Sequence, residues 1–322
     1  MSSPPQIQHS VFAQDVLRGL KAEQKSLPSR YFYDAAGSEI FRQIMRMDTY
    51  YLTDVEYEIF DTQQEDILQA FQAPGGPFRL VEFGAGDGLK TKILLRHFLA
   101  QQVNFSYVPI DISGAALAKL ENGLKEEFPT LAVDSREDEY FAALRRLQAE
   151  NGARKVVLFL GSNIGNFPHE GAVTFLKELA SGLGPEDLVL IGFDLKKDPQ
   201  IILDAYHDPE GITRKFNLNL LTRMNRELGA DFDQEAFLHY PTYDPISGAC
   251  KSHLLSNKDQ TVHFSFLDES IHFKAWEPIW MELSQKYDTA SIQALAEASG
   301  FKVVGNFTDE KQYFVNSLWE LR

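Results

Sequence analysis

In Phe78-Arg-Leu-Val-Glu-Phe-Gly84-Ala-Gly86-Asp-Gly88 an apolar run stops at a cluster of glycines, and a helical stretch from Lys90 to Leu99 follows. Strand, glycine loop and helix in that order open a nucleotide-binding βαβ unit. Glycine permits the tight turn and lets a ligand approach the backbone closely. An ordinary glycine-rich turn shares the composition but lacks the flanking strand and helix that the mechanism requires.

Working outward, further apolar runs occur at Phe105–Ile110, Val156–Leu160 and Leu188–Phe193, with helical stretches Ala115–Glu127 and Gly171–Leu183 between them. Buried runs alternating with helices imply βαβ units in a parallel sheet. Right-handed crossovers then place helices on both faces. Upstream, Ala73-Pro-Gly-Gly-Pro77 marks a loop. Residues 11–70 before it read as helical, with apolar groups at Ile40, Phe41, Ile44 and Met45 and a second helix from Thr53 to Phe71.

After Asp194 the α/β rhythm stops. Ile212, Phe216, Leu220, Met224 and Leu228 recur every four residues and predict one long amphipathic helix. Residues 247–275, with Thr261-Val-His-Phe-Ser-Phe266, read as strands. A helix at Ser291–Ala298 then leads to Phe301–Phe307 and Phe314–Leu321, a closing antiparallel pair. The expected organisation is an α/β core of residues 61–196 and 287–322, and a smaller α+β lobe of residues 1–60 and 197–286.

The loop also bears on the ligand. A dinucleotide fingerprint is G-x-G-x-x-G, with a third glycine for helix packing. Here the spacing is G-x-G-x-G, Leu89 stands at the third position, and the acidic Glu82 precedes Gly84 by two. The stretch resembles motif I of class I methyltransferases, whose Rossmann-like core is a parallel sheet with an antiparallel last strand. Asp111 ends the second run, 25 residues beyond Gly86, where a carboxylate accepts from ribose hydroxyls. The alternative is a loop aspartate capping the next helix. Asp138 follows the third strand candidate, at the place of an adenine amino contact, with Glu137 and Glu139 crowding its register.

Composition narrows the classes. The 322 residues are 44% hydrophobic and 24% charged, with a formal net charge of −15, the profile of a folded domain with a sizeable core. Such an acidic chain repels polyanions and argues against nucleic-acid binding. One cysteine, Cys250, allows no internal disulfide, and the eight histidines show no H-x-H or H-E-x-x-H spacing, so no metal site is expected. A polar Met1–Gln8 and the lack of any 18-residue apolar run predict neither a secretory signal nor a membrane span. A monomer in a reducing cytoplasm, acting on a small molecule, is expected.

Five separated segments carry a further resemblance. They are Tyr31-Phe-Tyr-Asp34 with Gly37-Ser-Glu-Ile-Phe41 and Tyr50-Tyr-Leu-Thr53; Phe159-Leu-Gly161-Ser-Asn-Ile-Gly-Asn166-Phe167; Gly192-Phe-Asp194-Leu-Lys196-Lys-Asp198; Phe216-Asn217 through Asn225-Arg-Glu-Leu-Gly-Ala-Asp-Phe232; and Glu282-Leu-Ser284-Gln-Lys286-Tyr287. Together they resemble the histidine-specific Nα-methyltransferases of ergothioneine biosynthesis, from about residue 20 to the C-terminus. The resemblance implies S-adenosyl-L-methionine as cofactor, held by Gly84, Gly86, Lys90, Asp111, Asp138 and Gly161. It implies that Tyr33, Asn166 and Tyr206 hold the α-amino and α-carboxylate groups, with Tyr33 and Asn166 the catalytic pair. Tyr50, Glu282 and Ser284 would read the imidazole, and Phe41 would line the pocket. The product would be the trimethylated amine, hercynine.

The chemistry is consistent with that assignment. Glu282 can accept from one imidazole N–H while Ser284 donates to or accepts from the other nitrogen, and aromatic faces suit a quaternary ammonium. Plainer alternatives exist for each: Tyr33, Tyr50 and Phe41 as core aromatics, Asn166 as a helix cap, Tyr206 as a surface residue, Glu282 as a solvated charge. Ser252 departs from the resemblance, because the family's pocket carries a larger apolar side chain there. Methylation of another amino acid such as tryptophan, a NAD-dependent oxidoreductase and a non-catalytic binding protein are the competing readings.

Overall fold

A computed structural model describes residues 10–150 and 152–322; the Met1–Gln8 reading lies outside them. The chain divides into two compact units, residues 52–196 with 285–322, and residues 1–51 with 197–284. The lobe boundary expected at residues 60 and 61 falls inside the helix Leu52–Gln72.

The first unit holds a seven-stranded sheet. Its strands are β1 (Phe78–Phe83), β2 (Phe105–Asp111), β3 (Arg136–Glu137), β4 (Arg154–Phe159), β5 (Leu188–Asp194), β11 (Phe301–Thr308) and β12 (Phe314–Leu321), in the order β11-β12-β5-β4-β1-β2-β3. β1 runs parallel to β2 and β4, and β4 to β5, whereas β12 is antiparallel to both β5 and β11. The apolar runs are buried on both faces, which is why they read as continuous rather than alternating. On one face Val81, Phe83, Val157, Phe159, Ile191 and Trp319 pack with the helices Tyr140–Ala149, His169–Ser181 and Thr289–Ala298. On the other, Phe71 of the helix Leu52–Gln72, Phe78 and Phe98 of the helix Thr91–Ala100 meet edge-on, with ring centroids 6.0–6.2 Å apart. An open sheet of this order, covered on both faces and with its last strand reversed, is the Rossmann-like class I methyltransferase core.

The second unit pairs helices with two small sheets. β6 (Phe237–Asp244), β7 (Ala249–Ser256) and β10 (Pro278–Gln285) lie in the order β10-β7-β6, with β6 and β7 antiparallel, and β8 (Gln260–Phe264) with β9 (Glu269–Phe273) forms an antiparallel hairpin. The long helix expected from the four-residue spacing spans Ile212–Leu228. Phe216, Leu220, Leu221 and Met224 on it join Val16, Phe32, Phe237, Phe264 and Met281 in one core.

The helical reading of residues 11–70 needs correction. Helices cover Val11–Lys21, Ala35–Ile44 and Leu52–Gln72. Between the first two, Ser26 bridges Trp280, Leu27 N–H donates to Trp280 O at 2.9 Å, and Trp280 N–H donates to Lys25 O at 2.9 Å. The chain there is extended along β10, so its backbone groups are satisfied by a strand rather than by a helical ladder. Asp34 restarts the helix as its N-cap, accepting from Gly37 N–H at 2.8 Å, a contact of about 1 kcal/mol. Strands β6 and β10 and the helix Tyr140–Ala149 were not anticipated from the sequence.

Candidate functional site

The residues expected to hold the cofactor all belong to the unit with the seven-stranded sheet, and they gather at the carboxyl ends of β1, β2, β3 and β4. Open α/β sheets bind ligands at that edge, where the strand order reverses. Gly84 (φ +67°) and Gly86 (φ +56°) turn the chain out of β1. A Cβ on Gly84 would also stand 2.8 Å from the Tyr140 hydroxyl, so glycine is needed for conformation and for space. Gly161, just past β4, has φ +70°.

Asp111 is the last residue of β2. Its Oδ1 accepts from Ser113 N–H at 2.9 Å, while Ser113 itself caps the helix Gly114–Glu127. The capping alternative for Asp111 therefore falls. Asp138 follows β3, accepts from Glu139 N–H at 3.0 Å and pairs with Arg146 at 2.9 Å. Asn166 ends a short 3-10 turn, Asn163–Asn166, and is exposed. It does not cap the helix His169–Ser181, whose N-cap, Pro168, makes no side-chain cap bond. The following Phe167 packs on Phe175, centroids 5.0 Å apart.

Two buried carboxylates support this edge. Glu82, two residues before Gly84, accepts from Thr91 Oγ1 at 2.7 Å and from the Tyr107 hydroxyl. Burial pushes its pKa up to about 7, against the pull of Tyr107, Thr91 and Lys90. Glu56, on the helix Leu52–Gln72, is 0% exposed. It pairs with the Lys90 ammonium, and both its oxygens accept from Gly161 N–H at 3.1 Å. Sequence reading missed Glu56, although a signal was present. It stands among Leu52, Val55, Ile59 and Phe60, the apolar stripe of its helix, where a carboxylate is costly unless paired.

The residues expected to hold the substrate, other than Asn166, all belong to the second unit. Tyr33, Phe41 and Tyr50 form an aromatic arc, Tyr33 to Phe41 at 5.4 Å and Phe41 to Tyr50 at 6.4 Å between centroids, backed by Phe216. Tyr33 keeps 46% of its surface open. Crowding at its hydroxyl, then the negative charge of Glu282, then Tyr50, hold its phenol well above the usual value. It is a neutral donor at physiological pH and not a resting base.

Glu282 and Ser284 are two residues apart on β10 and so face the same way. The Tyr206 hydroxyl, at the end of the helix Pro199–Tyr206, donates to Ser284 Oγ at 2.7 Å. Tyr206 is buried with Cys250, against Tyr50 and Tyr51, rather than lying on the surface. Ser252, 2% exposed, stands on the same face of β7 as Cys250, and His239 Nε2 lies 3.5 Å from its Oγ. Burial, then the neighbouring charge of His207, lower His239 to about 4, so that imidazole is neutral.

These features define an S-adenosylmethionine-dependent methyltransferase: the 3-2-1-4 strand order at the glycine loop, a carboxylate closing β2 and a lysine at the start of the next helix. Residues 12–321 match the family model described as histidine-specific methyltransferase, SAM-dependent. The chain belongs to that family. It is 34% identical to a histidine N-alpha-methyltransferase of Mycobacterium tuberculosis, over 96% of this chain and 95% of the relative. It is equally 34% identical to the protein so described in Mycolicibacterium smegmatis, over 94% of this chain and 93% of the relative. Ergothioneine biosynthesis protein 1 of Schizosaccharomyces pombe is 29% identical over 87% of this chain and 37% of its own length.

Proposed function

We propose that this methyltransferase acts on the α-amino group of free L-histidine and carries it to the trimethylated product, hercynine. The observation that carries the substrate assignment is the pair Glu282 and Ser284 on one face of β10, with Tyr206 bonded to Ser284 at 2.7 Å. A serine hydroxyl that accepts from Tyr206 retains a proton to donate. Glu282 accepts from the imidazole N–H, and Ser284 meets the other ring nitrogen. A site built of such partners rejects side chains that leave them unpaired. The relatives described as histidine N-alpha-methyltransferases support the same reading.

The residues at the carboxyl edge of the sheet fit the cofactor: positive-φ glycines for close backbone approach, the Asp111 carboxylate for ribose and the Lys90 ammonium for the methionyl carboxylate. S-adenosylmethionine, when bound, supplies a methyl group activated by its sulfonium. Tyr33 and Asn166 hold the amino acid's amine and carboxylate. Tyr33 does so as a neutral donor. Positioning of this kind lowers a barrier by as much as about 7–11 kcal/mol. The arc of Tyr33, Phe41 and Tyr50 offers ring faces to the growing cation.

The substrate lobe then corresponds to the unit of residues 1–51 and 197–284, and the catalytic core to the unit of residues 52–196 and 285–322. The protein works as a monomer in the cytoplasm. Among the described residues no helix is long and apolar enough to cross a membrane.

The test is mass spectrometry after incubating the protein with S-adenosylmethionine and an equimolar mixture of the twenty amino acids. Histidine alone should gain up to three methyl groups. Methylation of a different amino acid would overturn the substrate assignment and point to Ser252.

A further inference from the structure

Glu56, Lys90 and Gly161 come from three separate elements: the helix Leu52–Gln72, the N-cap of the helix Thr91–Ala100 and the loop after β4. The Glu56 carboxylate joins them, bonding the Lys90 ammonium and accepting Gly161 N–H with both oxygens at 3.1 Å. Its side chain is fully covered, whereas that of Lys90 is 23% exposed, so only the lysine reaches a ligand. A Cβ on Gly161 would stand 3.7 Å from Lys90 Nζ, so the loop backbone and the ammonium flank the same small space. Glu56 Oε1 also lies 2.7 Å from where a Cβ on Gly192 would stand, so any side chain at that position would collide with the carboxylate.

We propose that Glu56 is a positioning residue that makes the Lys90 corner selective for the zwitterionic amino-acid tail of the methyl donor. This rests on the placement of the cofactor at the glycine loop. A lysine alone attracts any anion. A lysine fixed to a buried carboxylate presents a dipole: the ammonium receives the tail carboxylate, and the field of Glu56 favours the tail ammonium. A zwitterion entering this corner adds no net charge, so neither buried charge loses compensation. Holding Lys90 to one rotamer in advance also removes the cost of ordering a long side chain when the ligand binds. The nucleoside portion of the ligand gains nothing from the pair.

The two portions can be separated with S-adenosylhomocysteine, which has the tail, and 5′-methylthioadenosine, which lacks it. Titration calorimetry on the full chain would compare wild type with Glu56→Gln. We expect the variant to bind S-adenosylhomocysteine at least tenfold more weakly and to change by less than twofold toward methylthioadenosine. Glu56→Asp should regain part of the loss. Equal weakening toward both ligands would reduce Glu56 to a structural strut and overturn the proposal, as would unchanged binding of S-adenosylhomocysteine. Should Glu56→Gln not fold, Glu56→Asp, which keeps the charge and shortens its reach to Lys90, reads the same corner, and a smaller tail-selective loss is expected; a loss shared by both ligands overturns the proposal there too. Wild-type protein that bound neither ligand would overturn the cofactor placement itself.

Discussion

The Tyr206 hydroxyl stands 2.7 Å from Ser284 Oγ, tying the end of the helix Pro199–Tyr206 to β10. The bond fixes the rotamer of a serine whose partner on the strand is Glu282. Tyr206→Phe keeps the ring against Cys250 and removes only this donor. One neutral hydrogen bond contributes about 1 kcal/mol. The kcat/KM for histidine should fall roughly 5–10-fold through KM, with the affinity for S-adenosylhomocysteine unchanged. A variant with wild-type KM would show that Ser284 needs no tether.

Glu282 carries the sharper expectation. A hydrogen bond to a charged acceptor contributes about 1.5–3 kcal/mol, so Glu282→Gln should lower kcat/KM for histidine by roughly 10–150-fold. The same change removes negative charge near the Tyr33 phenol, one of the causes holding it high, so the phenol's titration should move down. Steady-state kinetics and an ultraviolet pH titration read the two effects. Histidine kinetics equal to wild type would remove Glu282 from imidazole recognition.

The buried Glu82 and the half-buried His239 tilt stability with pH in opposite senses. Glu82 titrates at about 7 in the folded chain against 4.5 ordinarily, because burial disfavours its charge. The folded state therefore holds that proton more tightly, and the stabilisation, roughly 3 kcal/mol, is full below pH 4.5 and lost as pH rises through 7. His239 is lowered from 6.5 to about 4. The unfolded state binds its proton more tightly, so a stabilisation of similar size is full above pH 6.5 and lost as pH falls through 4. In the wild type the two slopes offset each other. Relative to wild type, Glu82→Gln should gain stability as pH rises from 4.5 to 7, and His239→Gln should gain as pH falls from 6.5 to 4. Denaturant melts across pH 4–8 measure both; parallel curves for wild type and either variant would contradict the corresponding assignment.

Much of the core could be read from the sequence because its strands are buried on both faces and its loop chemistry is local. Phe78–Phe83 and Gly84–Gly88 lie next to each other in the chain, and so do the strand and the turn. The edge strand β6 was missed because Leu238 and Tyr240 are exposed beside a half-buried His239, which erases the apolar alternation that marks a strand. Among the residues proposed for the site, the glycines, Asp111 and Glu282 stand out in the sequence by position and resemblance. Glu56 did not, because its partners Lys90 and Gly161 are 34 and 105 residues away. Pairings at such separations are made by the fold, and one sequence does not print them.

The ion pair of Lys286 and Asp194 is another such pairing, and it invites the last test. Both side chains are 0% exposed, with Nζ 2.6 Å from Oδ2. The pair fastens the last residue of β5 to the segment leaving β10, where Tyr287 N–H donates to Asp194 O at 2.9 Å. The pair as a whole adds little net stability, because desolvation offsets the attraction, whereas removing one partner alone is costly. Lys286→Met should therefore cost about 3–5 kcal/mol, and Asp194→Asn a similar amount. The double variant Lys286→Met with Asp194→Asn should recover most of the loss, because no charge remains uncompensated. Denaturant unfolding of the three variants completes the cycle. If the double variant is as unstable as the two single losses added together, the charges act independently, and the pairing has no energetic meaning in this fold.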